Sequence, residues 1–393
     1  MHKPKLLFLV DKMENGGAER QLVKIASLYA HKYDVEITSL LPAEQNMLEQ
    51  ASELTYTPLA TTPSKGTLGK LKQLYRSYQG LKQLAEKNQY EAVFSFLEWS
   101  NVLTIKAFKN SPLNSTARIY LNVRNYLSNQ YSNKLKQAVA KTLLPRFYNQ
   151  ASGVLCNSNA IKQDLETNFK IKSSLIKVIY NSVAVEKITR NAKSVEPPFN
   201  KQSNALTFVS CGRLADQKQF NSLLLSFHQY NTQNNRNDKL YIVGSGPLKS
   251  TLQNTIDTLS INAELVGHQN NAPAWLFNAD CFILNSFFEG FPNVLAESVV
   301  LGTYAITADC LSGPREIMTN FAISDYNVAL DDVYPTDFGV LYKVEQNDSA
   351  VNEHLVEALT MSLARINTHK AKPNNSDLLN DNFGITPWYD ILG

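Results

Sequence analysis

Short apolar runs alternate with helical periodicity along this chain, pause, and then alternate again. That double alternation constrains the fold more than any other feature of the sequence. In the first half, strands are expected at Lys5–Val10, Val35–Leu40, Ala92–Phe96, Arg118–Val123, Val154–Cys156 and Lys177–Ile179. Helical patterns lie between them, as at Glu19–His31 and Leu68–Lys87. Strands that alternate with helices build a parallel, doubly wound sheet. Val195–Ser203 reads Val-Glu-Pro-Pro-Phe-Asn-Lys-Gln-Ser, whose two prolines and polar neighbours mark a linker. The alternation then restarts, with strands at Leu206–Cys211, Lys239–Val243, Ala263–Leu265, Cys281–Leu284 and Tyr304–Thr307. Helices are expected at Phe220–Asn231, Pro247–Leu259, Pro273–Ala279 and Asn293–Leu301. The reading is an α/β chain of two Rossmann-like domains, 1–195 and 205–373, joined by a linker at 196–204. A segment at 374–393 is expected to return to the first domain. Ligands in such sheets sit beyond the carboxyl ends of the strands, so two facing domains would form a cleft.

Composition sets the outer limits. At 393 residues, 44% hydrophobic and 19% charged, the chain is long enough for two cores and is neither disordered nor fibrous. No apolar run reaches the roughly 18 residues of a membrane helix. The apolar stretch Leu6–Val10 reads as a first strand, too short for a signal peptide. Cys156, Cys211, Cys281 and Cys310 form no CxxC pair, and the histidines show no ligand spacing, so reduced core thiols, no metal and a cytoplasmic setting are expected. Charge is uneven: residues 1–190 carry 26 Lys and Arg against 14 Asp and Glu, and residues 191–393 carry 12 against 21. Such polarity suggests that the first half faces an anionic surface. Nothing points to nucleic acid, and the oligomeric state is left open.

Four segments carry chemistry. Gly16 and Gly17 precede a helix, where open N–H groups could meet an anion; a ligand-free tight turn is the alternative. Arg213 and Lys218 stand five residues apart past the first strand of the second half, placed to neutralise a diphosphate or simply solvated. Gly244 and Gly246 close the next strand as a turn before Pro247. Most informative is Glu289-Gly290-Phe291-Pro292-Asn293-Val294-Leu295-Ala296-Glu297, where a loop opens a helix near Pro292. The N–H groups near Asn293, Val294 and Leu295 suit phosphate, and carboxylates on either side suit sugar hydroxyls. The helix dipole alone would account for Glu289, but not for Glu297 on an apolar helix, where a carboxylate needs a partner.

These pieces together resemble the GT-B glycosyltransferases, and specifically glycosyltransferase family 4. The match consists of Gly-Gly-Ala-Glu-Arg at 16–20, Gly-Arg-Leu-x-x-Gln-Lys at 212–218, Gly-x-Gly-Pro at 244–247, Leu-Val-Gly-His at 265–268 and Glu-x7-Glu at 289–297. Asp309–Ile317, with Gly-Pro-Arg-Glu-Ile at 313–317, resembles members that act on bacterial surface glycans. The resemblance spans nearly the whole chain and implies the following roles. Gly16 and Gly17 line the cleft near the donor phosphates, Arg213 and Lys218 bind the diphosphate, and Glu289 holds donor-sugar hydroxyls. Gly290 and Phe291 offer backbone N–H groups, Glu297 binds the ribose, and His268 borders the base. Many members carry a His after the strand that ends at Val123; here Arg124 and Asn125 follow it. They are assigned to the donor-sugar site, and Arg124 cannot serve as a general base because it stays protonated.

The resemblance implies transfer with retention from a nucleotide sugar, with UDP and a galactose- or N-acetylhexosamine-type sugar expected. The nucleotide sugar is a substrate, and no cofactor or metal is required. The acceptor is a glycan or a lipid-linked glycan. The alternatives are a sugar-nucleotide epimerase or phosphorylase on the same fold, and a non-catalytic sugar-nucleotide-binding subunit. Basic residues Lys65, Lys70, Lys72, Arg76, Lys82 and Lys87 accompany Leu68, Leu71, Leu74, Tyr75, Tyr78, Leu81 and Leu84. Lys134, Lys136, Lys141 and Arg146 accompany Leu135, Val139, Leu143, Leu144 and Phe147. Helices of this composition can lie in a membrane interface, which leads to the expectation of peripheral docking on the cytoplasmic face. Packing of these stripes on the sheet is the alternative.

Overall fold

The computed structural model describes residues 3–14, 16–41, 54–59, 66–131, 133–193, 196–201, 204–310, 312–323, 326, 330, 332–368, 375 and 384–392. The chain forms two units, Met1–Tyr180 and Asn181–Gly393.

The first unit runs β1 (Lys5–Lys12), α1 (Gly17–Tyr29), β2 (Asp34–Leu41), β3 (Thr55–Pro58), α2 (Gly66–Lys87), β4 (Ala92–Phe96) and α3 (Glu98–Phe108). It continues with β5 (Arg118–Val123), α4 (Leu127–Gln130), α5 (Lys134–Tyr148), β6 (Gly153–Cys156), α6 (Asn159–Thr167) and β7 (Ile176–Val178). The strands pair in parallel in the order β3-β2-β1-β4-β5-β6-β7. Strand side chains alternate between faces, yet β4 is buried along its whole length, so helices cover both faces. One face gathers Phe8, Phe94 and Tyr120, stacked with ring centroids 4.9 and 5.1 Å apart. The other holds Leu7, Leu9 and Val93 against Leu81, Phe108 and Leu144.

The second unit runs α7 (Val185–Lys193), β8 (Thr207–Cys211), α8 (Phe220–Gln233), β9 (Lys239–Val243), α9 (Lys249–Leu259), β10 (Ala263–Gly267) and α10 (Ala272–Asn278). Then follow β11 (Cys281–Leu284), α11 (Asn293–Val300), β12 (Tyr304–Asp309), α12 (Gly313–Met318), β13 (Val333–Thr336), β14 (Gly339–Lys343), α13 (Glu353–Thr368) and α14 (Thr386–Leu392). Its order is β10-β9-β8-β11-β12-β14-β13, parallel except for the edge hairpin β13–β14.

The sequence puts the division at 195, but the structure puts it at Tyr180/Asn181. The reason is that α7 packs on α10, and Asn271 Nδ2 donates to Asn191 O at 2.9 Å. The expected linker is anchored as well: Phe199 is buried and stacks on Tyr241 at 5.0 Å. Of 374–393, Asn375 Nδ2 donates to Val299 O at 2.9 Å and Gly384 lies against Ser182, contacts within the second unit.

In each sheet the chain winds outward in both directions from one adjacent pair, β1 and β4 in the first unit and β8 and β11 in the second. Connections leaving such a pair run to opposite faces, and a crevice opens at the carboxyl ends of the two strands. Both candidate sites lie at these switch points.

Candidate active site at the two switch points

In the second unit the loops after β8 and β11 are laced together. Gln217 Nε2 donates to Phe288 O at 2.6 Å, and Phe287 N donates to Gln217 O at 2.8 Å. This brings Lys218 Nζ to 2.5 Å from Glu289 Oε1, with both side chains largely withdrawn from water. Arg213 stands exposed on the same loop. The turn at 244–246 supports that loop from behind: Leu214 N donates to Ser245 O at 2.9 Å. Gly244, at φ +151°, brings its Cα so close that a Cβ would fall 1.8 Å from Gly212 O. Gly244 and Gly246 therefore set the position of Arg213 through backbone packing.

The loop carrying Glu289 is held from its far side by the residues that open α12. Ser312 Oγ donates to Glu289 O at 2.8 Å and Gly313 N to Gly290 O at 2.9 Å. A Cβ on Gly313 would lie 2.4 Å from that same Gly290 oxygen. Under this loop, fully buried Arg315 forks onto the Asp309 carboxylate, with Nε 2.9 Å from Oδ1. Pro292 precedes α11 and no side chain caps the helix, which leaves its positive end to a ligand. Asn181 Nδ2 donates to Asn293 Oδ1 at 2.8 Å and to Phe291 O at 3.5 Å, fixing that end. Phe291 and Leu295 are buried, while Val294 and Glu297 are half-buried. Glu297 sits near enough to Cys211 to help burial push that thiol upward. His268 is exposed just past β10, beyond Gly267 at φ +75°. The structure thus gathers Arg213, Lys218, Glu289, Gly290, Phe291, Asn293, Val294, Leu295 and Glu297 about one switch point, with His268 past edge strand β10, two strands from β8.

The first unit holds a different chemistry. The Glu19 carboxylate folds back over Gly16, so an anion nearing the start of α1 meets a carboxylate; Gly17 is exposed. Arg124 is buried beyond β5 with its guanidinium 5.2 Å from the Phe96 ring centre, and Asn125 beside it is half-buried. Burial lowers Arg124 to about 10, so it stays protonated at neutral pH.

The sequence reading missed two carboxyls here. Asp11 lies one residue before the end of β1, and Glu98 follows β4 across the switch point. Asp11 Oδ1 accepts from Ser100 N at 2.8 Å and Ser100 Oγ at 2.6 Å, which caps the start of α3 from another strand. Glu98 Oε2 accepts from Gln130 Nε2 at 3.3 Å, while enclosed Oε1 has no hydrogen-bond partner. Burial raises Asp11 to about 6 against the Ser100 bonds, and burial together with the Asp11 charge raises Glu98 to about 7. Leu97 before Glu98 is held at φ 74°, ψ 163°, a costly conformation for a side chain branched beyond Cβ. Burial lifts nearby Tyr131 to about 12, helped by both carboxyls. A signal for these residues existed: each is the first polar group past an apolar strand flanking the switch point.

Among the described residues no group of three His, Cys, Asp or Glu is placed to hold a metal ion, and no helix is long and apolar enough to cross a membrane. Residues 15–187 match the family described as Glycosyltransferase Family 4, and residues 192–371 match Glycosyl transferases group 1. An uncharacterized glycosyltransferase of Methanocaldococcus jannaschii is 30% identical over 69% of this chain and 67% of its own length. The N-acetylgalactosamine-N,N'-diacetylbacillosaminyl-diphospho-undecaprenol 4-alpha-N-acetylgalactosaminyltransferase of Campylobacter jejuni is 26% identical over 88% of this chain and 87% of its own. Among solved structures, Anabaena HepE in complex with UDP superposes with a TM-score of 0.69 at 18% identity, covering 99% of this chain and 98% of that one.

Proposed function

The chain belongs to glycosyltransferase family 4, and from that premise we propose that it moves a hexose or N-acetylhexosamine from a UDP-sugar, with retention and without a metal, onto a glycan or lipid-linked acceptor. The observation that carries this reading is the Lys218–Glu289 pair beside the uncapped start of α11, with Glu297 one turn further on. Arg213, Lys218 and the helix end would take the diphosphate, and their charge would stabilise the negative charge that grows on it as the sugar leaves. Glu289 would accept from donor-sugar hydroxyls while keeping Lys218 aimed; Glu297 would accept from the ribose. In a front-face transfer, the acceptor oxygen bonds to the anomeric carbon on the side from which UDP departs, and its proton goes to the departing phosphate. An N-acetylhexosamine is supported by the N-acetylgalactosaminyl specificity in the name of the Campylobacter relative, and UDP by the Gly313–Ile317 resemblance.

On the acceptor side, Asp11 and Glu98 would read hydroxyls of the incoming sugar, and Arg124 and Asn125 would serve the donor sugar. The undecaprenol diphosphate in that relative's name supports a lipid-linked acceptor. The test is release of UDP from a panel of UDP-, GDP- and ADP-sugars, with and without a chelator. Turnover of a UDP-sugar that survives chelation supports the proposal. Turnover of GDP- or ADP-sugars alone would overturn the donor assignment. Binding of UDP without turnover of any donor, in the presence of lipid-linked glycans, would favour the non-catalytic alternative.

A further inference from the structure

The apolar stripe of α2 packs inward through Leu74, Tyr78, Leu81 and Leu84, and that of α5 through Leu144 and Phe147; their remaining described apolar residues are exposed. Lys65 and the side chains of Leu68 and Lys70 lie outside the described residues. Neither half of that division explains one buried carboxyl of the same unit. Asp164, on α6, is 1% exposed, and no step of the proposed transfer uses it. A buried carboxylate is costly unless donors surround it. Three do: Ser128 N donates to Oδ2 at 3.0 Å, Ser128 Oγ donates to Oδ1, and Asn168 Nδ2 donates to Oδ1 at 2.8 Å. Burial still raises Asp164, against those bonds and the Lys141 charge.

Ser128 belongs to α4, a single turn that cannot hold itself. Its N-cap, Tyr126, gives it no side-chain hydrogen bond, and four residues are far too few for a helix that is stable alone. Asp164 supplies the missing cap from another helix. Gln137 Nε2, on α5, ties the same residue by donating to Ser128 O at 2.9 Å. The turn ends on Gln130, whose Nε2 reaches Glu98 Oε2 at 3.3 Å. Asp11 treats α3 in the same way, since it takes both the N–H and the hydroxyl of Ser100, two residues past Glu98. The two aspartates thus each grip one serine near a helix start, and the two helices so held carry Glu98 and Gln130. The Oε1 atoms of Glu98 and Gln130 are both enclosed, and neither has a hydrogen-bond partner among the described residues. Two such acceptors on adjoining side chains suit hydroxyl donors.

We propose that Asp164 is a positioning residue of the acceptor site: by fixing α4 through Ser128 it holds Gln130 against Glu98, and so keeps both Oε1 atoms set for hydroxyls of the incoming sugar. Its place in the reaction rests on the acceptor reading of Glu98; the bond network does not.

Carbon NMR of the full chain, labelled at its glutamate carboxyls, follows Glu98 through pH; the resonance missing in Glu98→Gln is its own. Burial and the Asp11 charge raise Glu98 to about 7. Asp11 on β1, Tyr131 past α4 and Tyr148 on α5 face it as well, and none of them is altered. Gln130→Ala removes a donor to the ionised form, so Glu98 should titrate roughly half a pH unit higher. Asp164→Ala should raise it as far, and Asp164→Ala with Gln130→Ala should raise it no further. Asp164→Asn keeps an acceptor for Ser128 N and should titrate close to the unaltered chain. Leu165→Val, which trims the next residue on the same helix, should lower the melting temperature and leave Glu98 where it is. UDP affinity should be unchanged throughout. If Asp164→Ala fails to fold, Ser128→Ala decides: it loses the hydroxyl bond alone, and Glu98 should still titrate higher. Glu98 titrating as before in the deciding variant, or a shift that adds to that of Gln130→Ala, would overturn the proposal. So would an equal shift in Leu165→Val, which would make Asp164 a stabiliser and no more. No sugar enters the NMR titration, so its failure is distinct from a failure of the transferase reading.

Discussion

The same topological position serves opposite electrostatic ends in the two units. At the β8/β11 switch point, Lys218 is met by Glu289 and Arg315 by Asp309, and the loops are tied together by backbone hydrogen bonds. At the β1/β4 switch point, Asp11 and Glu98 are half-buried carboxyls, and burial pushes both upward. On the proposed reading, the fixed charge pattern of the second unit meets a ligand that brings its own negative charge. The carboxyls of the first, at the edge of ionisation, would meet hydroxyls of the incoming sugar. A fold that places both crevices at its switch points leaves their chemistry to a few side chains.

The largest expected effect breaks the frame beneath the second site. Asp309→Ala would leave the buried Arg315 charge without its main partner, at a cost of about 3–5 kcal/mol. Calorimetry should show the loss, and UDP binding should fall with it. Glu98→Gln removes a half-buried carboxyl that is costly to ionise, and should leave the melting temperature at neutral pH unchanged or higher. A destabilisation by Glu98→Gln as large as that by Asp309→Ala would erase the contrast between the two sites.

Next come the cations themselves. Arg213→Ala and Lys218→Ala should each lose about 1.5–3 kcal/mol of transition-state stabilisation while remaining folded, read as kcat/KM in a UDP-release assay. Because Lys218 and Glu289 touch, Lys218→Ala combined with Glu289→Gln should cost less than the sum of the single changes. Strict additivity would separate the two residues.

How much of this was legible in the sequence follows the same division. The sheets could be read because their strands are continuous apolar runs: Ala92–Phe96, Arg118–Val123, Lys239–Val243 and Cys281–Leu284 fall where periodicity places them. Edge strands β3 and β13 could not, since Thr55–Pro58 and Val333–Thr336 are short, polar and partly exposed. On the donor side, Glu297 stands out because a carboxylate on an apolar helix needs a partner, and Glu289 is read with it as the other carboxylate flanking the helix start. Asp11 and Glu98 look like ordinary strand-end polar residues. Only the strand order β2-β1-β4 brings them together, and strand order is a tertiary fact. That α7 packs on α10 was not legible, because amphipathic periodicity shows that a face is buried without showing against what.

Smaller effects probe titration. Both raised carboxyls bind protons more tightly in the folded chain than in the unfolded chain. The penalty for ionising them is therefore fully present only well above pH 7, and lifts as pH falls through about 7 for Glu98 and about 6 for Asp11. Stability should rise by about 1 kcal/mol between about pH 8 and about pH 6, and Glu98→Gln should flatten that rise. A rise unchanged in Glu98→Gln would place the titration elsewhere. Glu297→Gln should weaken UDP binding by about 1 kcal/mol, the worth of one ribose hydrogen bond, and titration with uracil alone should show no change.

The central claim is that the two switch points bind different substrates, and titration calorimetry of free UDP against Lys218→Ala and Glu98→Gln tests it most directly. Lys218→Ala should bind UDP roughly tenfold to a hundredfold more weakly than the unaltered chain, since one charge-assisted contact to the diphosphate is gone. Glu98→Gln should bind it with unaltered affinity. Equal losses in the two variants, or a loss confined to Glu98→Gln, would contradict the account.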